Sequence, residues 1–310
     1  MRRISGFLVL TTLISVFTFA GCASHDQTPK NLRMARNSLS EANEAFERNQ
    51  PEQALFLVRS ALKNHQLSGD LQNTLIDMNR IGYIYNALGQ YPRALSWFQR
   101  ALLICEVLKD PILEAQTFSL IGDTEIALKN TAQANEFIEK AFTLINPLPS
   151  SRIKHETKAH LFNTLGLSNA IEDKWNDSLK NFQNAQAINR SLGNKRNEAG
   201  NWANIGGVYL AINNYKDART AFKTALKLDR GIGNSDGIAF DSEGGALANY
   251  HLENWDEATR HIIVAYQIRL LQGNKVLAQK DYLLSRQLLK KIPPISGSES
   301  ILLHWPAPSS

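Results

Sequence analysis

The sequence predicts an all-α fold, an α-solenoid of about six helix-turn-helix repeats followed by a C-terminal capping helix. Apolar residues recur at helical spacing along one face of successive segments. The same arrangement returns every forty residues through most of the chain, which indicates stacked repeats. Glycine followed by Asp or Asn marks segment boundaries, as at Gly69-Asp70 and Gly193-Asn194. Such a glycine ends one helix, and the residue after it caps the next.

The repeat is clearest in residues 201–228, NWANIGGVYLAINNYKDARTAFKTALKL. Its two helices each carry one apolar face, formed by Trp202, Ile205, Gly206, Tyr209, Tyr215, Ala218, Phe222 and Ala225. Gly206 and Ala218 are small, so we expect the helices to approach closely there. Trp202 and Phe222 would fill the space on either side. An ordinary helical bundle is the alternative, but its apolar faces would not recur at a fixed period.

The repeats extend over residues 34–291, and a glycine recurs at the same position of the first helix in four of them. Gly82 and Gly122 are forty residues apart, and so are Gly166 and Gly206. Between Gly122 and Gly166 the spacing grows to forty-four, and the link there contains NPLPSSR. Because proline cannot continue a helix, the third and fourth repeats should be offset. The sequence leaves open whether this link is only a longer loop or a bend that divides the solenoid.

These residues match the tetratricopeptide pattern W-x2-L-G-x2-Y…A-x3-F, and the chain resembles the tetratricopeptide-repeat (TPR) family over residues 34–291. Its period is longer than the usual one of about 34 residues. It is similar to the long repeats of kinesin light chains, spindle-orientation adaptors and many bacterial regulators. Because those proteins bind extended segments, the resemblance implies a protein or peptide partner on a concave surface lined by first helices. Glu125 departs from the pattern, since it stands where Tyr is expected, and must turn outward or meet a cation.

Residues 1–21 have the parts of a bacterial secretion signal. Two arginines precede an apolar segment, residues 4–19, of signal-peptide length. The letters FAGC that close it resemble the lipobox of bacterial lipoproteins, which implies that Cys22 is acylated and becomes the N-terminus. Residues 22–33 would then form a tether, and Ala23 implies the outer membrane, with the protein facing the periplasm. An uncleaved membrane anchor with an incidental cysteine is the alternative.

Polar residues opposite the packing face are the candidate partner-binding groove. They come from the first helices of successive repeats: Asn79, Arg80, Tyr83, Asp123, His160, Asn163 and Asn204. Amides carry donors and acceptors, so they can bind a peptide backbone without reading its charge. Arg80 and Asp123 would set a charge preference, and Tyr83 offers a rigid aromatic contact. The alternative is a solvated helix face without a function.

Signals for catalysis are weak. His155 and His160 of HETKAH are five residues apart, about 140° around a helix, so they cannot share a metal as residues at i and i+4 do. Cys105 lies among leucines and is expected to be a buried apolar residue. The net charge of +5 includes two arginines of the leader and is too weak to indicate nucleic acid. We therefore predict a non-enzymatic protein without a metal or cofactor.

The sequence thus predicts a membrane-anchored scaffold for protein–protein interaction in the bacterial envelope. Its partner would be an extended segment of a periplasmic or outer-membrane protein. The resemblance to TPR lipoproteins implies pilus or secretion assembly, or activation of peptidoglycan synthases. A peptide- or ligand-sensing TPR regulatory module is the alternative. The Pro- and Ser-rich tail, residues 292–310, contains an apolar island, and the sequence leaves open whether it is loose, covers the end of the repeats or occupies the groove.

Overall fold

The computed structural model describes residues 29–48 and 50–291, and within this part the chain is helical without a strand. The helices are α1 (Lys30–Glu47), α2 (Pro51–Leu67), α3 (Leu71–Ala87), α4 (Tyr91–Leu108), α5 (Pro111–Ala127), α6 (Thr131–Ile145), α7 (Arg152–Ile171), α8 (Trp175–Ser191), α9 (Lys195–Ala211), α10 (Tyr215–Ile232), α11 (Ser235–His251), α12 (Trp255–Leu271) and α13 (Lys275–Leu289). The predicted all-α class is confirmed. The predicted capping helix is also confirmed as α13, which packs against α12.

The chain divides into two compact units after Ile171. The described part of the first unit contains α1–α7, and the second unit, which begins at Glu172, contains α8–α13. The proline-containing link after Asn146 lies inside the first unit, where α7 packs against both α5 and α6. The division therefore falls in the turn of the fourth predicted repeat and not at the prolines.

Each unit is built from antiparallel helix pairs. In the first unit α1 packs on α2, α3 on α4 and α5 on α6, and the first helices α3, α5 and α7 follow one another side by side. In the second unit the pairs are α9 with α10 and α11 with α12. Helix α1 begins at Lys30, four residues before the predicted start of the repeats at 34. Its apolar face explains the earlier start, because Leu32, Ala35 and Leu39 have helical spacing.

The turns between repeats follow the glycine signals of the sequence. The glycines at these boundaries have φ between +68° and +70°, in the left-handed region, which glycine adopts without strain because it has no Cβ. They are Gly69, Gly193, Gly233 and Gly273. The side chains of Asp70, Asn194 and Asn274 accept a backbone N–H in the first turn of the next helix, as expected of a cap. Asn234 differs, because its amide donates to Asp229 Oδ1 at 2.9 Å.

Small residues let the helices of a pair approach each other. A Cβ at Gly206 would lie 2.8 Å from the ring of Phe222, and a Cβ at Gly82 would lie 2.4 Å from the ring of Phe98. Both rings are completely or almost completely buried. The predicted packing role of Gly206 is therefore confirmed, since a side chain at either glycine would collide with the core.

Candidate functional site

Six of the seven predicted groove residues lie on neighbouring first helices of the first unit. Helix α3 carries three of them, α5 one and α7 two: Asn79, Arg80, Tyr83, Asp123, His160 and Asn163. The seventh, Asn204, lies on α9 in the second unit. We call the surface formed by Arg80, Tyr83, Gln116 and His160 on α3, α5 and α7 the first-helix face. Three of its members belong to the predicted groove, and Gln116 is added because its amide links α5 to α7.

Asp123 joins α5 to α7. Its Oδ2 lies 2.7 Å from His160 Nε2, and its Oδ1 accepts a hydrogen bond of 2.6 Å from the Thr164 hydroxyl. Burial acts to lower the pKa of His160, but the charge of Asp123 and the hydrogen bond to it raise the pKa above its ordinary value. The buried carboxylate is thus compensated by a hydroxyl and by an imidazole that is stabilised in its charged form.

Amides join the same helices. The Asn79 amide donates to Thr117 Oγ1 at 2.9 Å and links α3 to α5. The Gln116 amide donates to Thr157 Oγ1 at 3.4 Å, and this longer contact links α5 to α7. The amide of Asn79, which was expected to bind a peptide backbone, therefore uses a donor to hold neighbouring repeats together. The amide of Gln116 does the same.

The expectation of an open row of polar side chains needs a correction. Four of the predicted residues are buried, with 8%, 5%, 5% and 5% of their surfaces exposed: Asn79, Asp123, Asn163 and Asn204. The physical reason in the first unit is that consecutive first helices lie side by side. A residue opposite the packing stripe then faces the next first helix as well as the solvent.

Arg80, Tyr83 and His160 stay partly accessible. The Arg80 side chain is 27% exposed and donates to Asp77 Oδ1 at 2.9 Å. The side chain of Asp77 is fully buried, and its Oδ2 lies 2.6 Å from His65 Nδ1. The His160 side chain is 23% exposed, and Tyr83 is half-buried. These groups offer donors and an aromatic surface to a bound segment while their positions are fixed from below.

The Tyr83 ring is positioned by an aromatic contact that sequence reasoning missed. Its centroid lies 5.6 Å from that of Phe46 on α1, at an angle of 50°. The contact extends the first-helix face toward the first repeat. Helical spacing within α3 alone gave no signal for Phe46 as a partner of Tyr83.

The residues considered for chemistry have other partners. His155 Nε2 lies 2.9 Å from the Ser150 hydroxyl, whereas His160 faces Asp123. In the described part of the chain, no three His, Cys, Asp or Glu side chains are grouped as metal ligands. Cys105 is buried, as predicted, and burial raises its pKa to about 11, so its thiol is protonated at neutral pH.

The second unit contains a cavity that the sequence analysis did not find. Its volume is about 490 Å³, and it is lined by residues of α8, α9 and α10: Arg190, Lys195, Glu198, Trp202, Thr224, Lys227, Leu228 and Gly231. Three cations surround an indole, and the single acid of the lining, Glu198, accepts a hydrogen bond of 2.9 Å from Gln186. The helical spacing of Lys195 and Trp202, seven residues apart, was the signal that could have found it.

The family comparison agrees with this architecture. The model for the tetratricopeptide repeat matches residues 73–145 and 157–231. These two segments carry tetratricopeptide repeats. The first match begins in α3 and runs to the end of α6, and the second begins in α7 and covers most of α10. The predicted TPR-type repeat class is thereby confirmed. Among curated proteins, none matches the chain.

Solved structures support the same fold at low sequence identity. A Rap protein complexed with competence and sporulation factor is 12% identical at a TM-score of 0.66, with 89% of this chain and 74% of that chain covered. Aspartyl phosphate phosphatase F from Bacillus subtilis is 14% identical at 0.61, covering 91% and 84%. A signal-transduction ATPase with a TPR sensor from Pyrococcus horikoshii is 15% identical at 0.60, covering 86% of this chain and 46% of its own. These likenesses show the TPR fold, and that fold supports protein–protein interaction or peptide sensing.

Two predicted segments lie outside the described residues. They are the signal and acylation site up to Cys22, and the tail from 292 to 310. Within the described helices, none has the length and apolar character that a bilayer span requires.

Proposed function

We propose that this TPR protein is a non-enzymatic scaffold, anchored to the outer membrane on its periplasmic side, whose first-helix face binds an extended segment of an envelope protein. The observation that supports it most is the arrangement of that face. Its members are partly accessible, and they stand on three helices that are joined by the hydrogen bonds of Asn79, Gln116 and Asp123. Such a surface is ordered before a partner binds, so little side-chain entropy is lost on binding.

The chemistry of the face favours a peptide that binds mainly through its backbone. Arg80 and His160 carry donors, and each is held by a buried carboxylate, Asp77 and Asp123. The donors therefore keep fixed directions toward a carbonyl or carboxylate of the partner. Pilus assembly, secretion assembly and activation of peptidoglycan synthases are the proposed settings, because TPR lipoproteins of the kind that the sequence resembles serve there.

The experiment is capture of the partner, followed by titration. Chemical crosslinking in intact cells and purification of the full chain should retain an envelope protein. A triple variant, Arg80→Gln with Tyr83→Ala and Gln116→Ala, should then bind that protein at least about thirtyfold more weakly, equivalent to about 2 kcal/mol. Glutamine at 80 keeps a donor for Asp77, and the α5–α7 contact that is lost with Gln116 is a long one of 3.4 Å, so the variant should stay folded.

The matched control removes charge from exposed positions on second helices. Lys63→Ala with Glu139→Ala should bind the partner as the wild type does, because both side chains lie outside the first-helix face. Circular dichroism of both variants checks the fold. Full affinity in a folded triple variant would remove the site from this face.

The anchor is a separate part of the proposal, supported by the lipobox-like FAGC sequence. Cells fed a labelled fatty acid should incorporate it into the wild-type chain and not into a Cys22→Ala variant. Fractionation should place the wild type in the outer membrane. Label in the Cys22→Ala protein would refute acylation at this residue.

Sensing of a small acidic ligand is a second candidate, favoured by the cavity around Trp202. Three cations around an indole suit a carboxylate attached to an apolar or aromatic body. Its size is within the range of small-molecule sites, about 300–1,000 Å³. The similar Rap structure is a complex with competence and sporulation factor, which makes ligand binding by this fold reasonable to test.

This candidate can be tested with extracts. Small molecules and peptides retained by the full chain would be identified by mass spectrometry after denaturation. Lys195→Glu with Lys227→Glu should abolish retention of an acidic ligand. The control is Lys216→Glu with Lys223→Glu, two exposed positions on α10 outside the cavity lining, and it should retain the ligand. Equal retention by both pairs would exclude the cavity.

A further inference from the structure

Each repeat meets the next through one buried pair of side chains at a constant position. The first member lies near the end of a second helix, and the other lies twelve residues later in the next first helix. We call these junction pairs. At five of the six described junctions both members carry a group that can form a hydrogen bond: His65–Asp77, Cys105–Thr117, Asn189–Asn201, Asp229–Asp241 and Arg269–Asp281. At the sixth, after the longer link, Ile145 and Leu161 share an apolar cluster.

The junction pairs are buried, with at most 5% of any member exposed. A buried polar group without a hydrogen bond is costly, so each pair must be complementary. Asn189 donates to Asn201 Oδ1 at 2.8 Å, and Arg269 donates to Asp281 Oδ1 at 2.6 Å. The pair Asp229–Asp241 is the exception, because two carboxylates are both acceptors.

Asp241 needs a donor that the surrounding protein does not supply. It is 1% exposed, and among the described residues no donor reaches either of its carboxyl oxygens. The carboxyl of Asp229 faces it across the junction. Two ionised carboxylates cannot form a hydrogen bond, whereas a single proton makes one of them a donor to the other.

The surroundings place the negative charge on Asp229. Its Oδ1 accepts the Asn234 amide at 2.9 Å, and the nearby charge of Arg196 on α9 favours ionisation. Its Oδ2 lies against Gly237 in the first turn of α11, where a Cβ would come within 1.8 Å. The amino end of a helix favours an anion. These contacts explain why Asn234 donates to Asp229 and does not cap α11.

The remaining charged neighbours do not neutralise Asp241. Helix α12 packs on α11, but its Arg269 is bound to Glu243 and Asp281. The ring of His261 on α12 lies 3.4 Å from the position of a Cβ at Gly245, four residues further along α11. Burial, followed by the charge of Asp229, raises the pKa of Asp241 well above its usual range, and burial also raises that of Asp229.

We infer that Asp229 and Asp241 share one proton that closes the junction between α10 and α11, so that this junction weakens as the pH rises. The protein then contains a pH-sensitive joint within its second unit. When the proton is lost, two buried like charges face each other, and no buried donor satisfies Asp241. Because the two carboxyls interact strongly, the loss of this proton is a property of the pair and is not assigned to either residue alone.

The direction follows from linkage. An unfolded Asp has a pKa of about 3.9, and both folded values are raised. The stabilisation is complete below the unfolded value and is lost as the pH rises through the folded values. Acidification therefore tightens the α10–α11 junction, and alkalinisation opens it.

The neighbouring junction provides an internal control. Asn189 and Asn201 occupy the equivalent positions between α8 and α9, and an amide pair does not titrate. Hydrogen exchange of the full chain, corrected for intrinsic rates, would be compared at about pH 5 and about pH 8. Protection in α10 and α11 should fall by up to tenfold for each pH unit over which the pair loses its proton. Protection in α8 should stay within about twofold.

Two variants complete the test. Asp241→Asn supplies a permanent donor to Asp229 and should keep the α10–α11 protection constant across this pH range. Asp229→Asn with Asp241→Asn reproduces the Asn189–Asn201 pair and should do the same. If the wild-type α10–α11 protection does not change relative to α8, the proposal fails. It fails equally if the change persists in Asp241→Asn, because another group would then be responsible. If a variant does not fold, the comparison of α10–α11 with α8 in the wild type still decides whether the proposal holds.

Discussion

Replacement of Gly82 by alanine tests the close approach of α3 and α4. The new Cβ would lie 2.4 Å from Cε1 of Phe98, a distance that real side chains essentially never show. Phe98 is fully buried in the core of the first unit, so its ring has no space into which it can withdraw. Gly122 occupies the same place forty residues later, but there the new Cβ would meet Ile138 Cγ1 at 3.4 Å, an ordinary contact.

The two substitutions should have opposite signs. Overpacking a core costs about 1–3 kcal/mol, whereas alanine gains about 1 kcal/mol over glycine within a helix. Gly82→Ala should therefore lower the free energy of unfolding by about 0–2 kcal/mol. Gly122→Ala should raise it by up to about 1 kcal/mol. The propensity gain is common to both variants, so their difference measures the collision with Phe98.

The assay is urea unfolding of the full chain followed by circular dichroism, with the midpoint and slope measured for each variant. A double variant, Gly82→Ala with Phe98→Leu, removes the ring that collides. Its destabilisation should be smaller than the sum of the two single effects, because the residues are in contact. If Gly82→Ala is as stable as Gly122→Ala, the helices do not approach as the structure shows.

Three further predictions concern charge and reactivity. Arg269→Met leaves the carboxylates of Glu243 and Asp281 buried without their main cation, so unfolding experiments at about pH 8 should show a loss of about 3–5 kcal/mol. The loss should shrink as the pH falls below about 7, the pKa of Asp281, and an unchanged stability at about pH 8 would contradict the buried cluster. Because the pKa of His160 is raised in the folded chain, protonated His160 stabilises the fold at a pH below the ordinary histidine pKa. That stabilisation is lost as the pH rises through the folded pKa, so the thermal midpoint of the wild type should fall between about pH 6 and about pH 9. His160→Gln should make this fall smaller. Cys105, in a Cys22→Ala background, should react with a thiol reagent at least about 100-fold more slowly in the folded than in the unfolded chain; comparable rates would mean that the thiol is not buried.

The sequence was sufficient for the packing inside each repeat. Contacts such as Gly206 with Phe222 join two helices that are adjacent in the chain, and their positions follow from helical spacing alone. The turns were predictable for the same reason, because Gly193 and Asn194 act through backbone geometry over a few residues. Local patterns of this kind need no knowledge of the neighbouring repeat.

The partners between repeats were not predictable from such patterns. Asn79 appeared to lie on a free face because helical spacing shows only where a residue points, and Thr117 on the next first helix was not visible from one repeat. Glu125 was expected to turn outward or to meet a cation. It is buried and accepts a hydrogen bond of 2.8 Å from the Asn130 amide, a neutral donor. The division after Ile171 has no composition signal comparable to that of the prolines.

The junction pairs also determine what the loss of a whole repeat would do to the chain. Excision of residues 195–234 removes one forty-residue period and brings Asn189 opposite Asp241, where an amide can donate to the carboxylate. Excision of residues 235–274 removes the same length and brings Asp229 opposite Asp281, which is again a pair of carboxyls that needs a proton. The first deletion therefore replaces the titrating junction by one that has a permanent donor, whereas the second keeps a titrating junction. Loss of a repeat by recombination can thus change the pH response of the chain without a single point substitution.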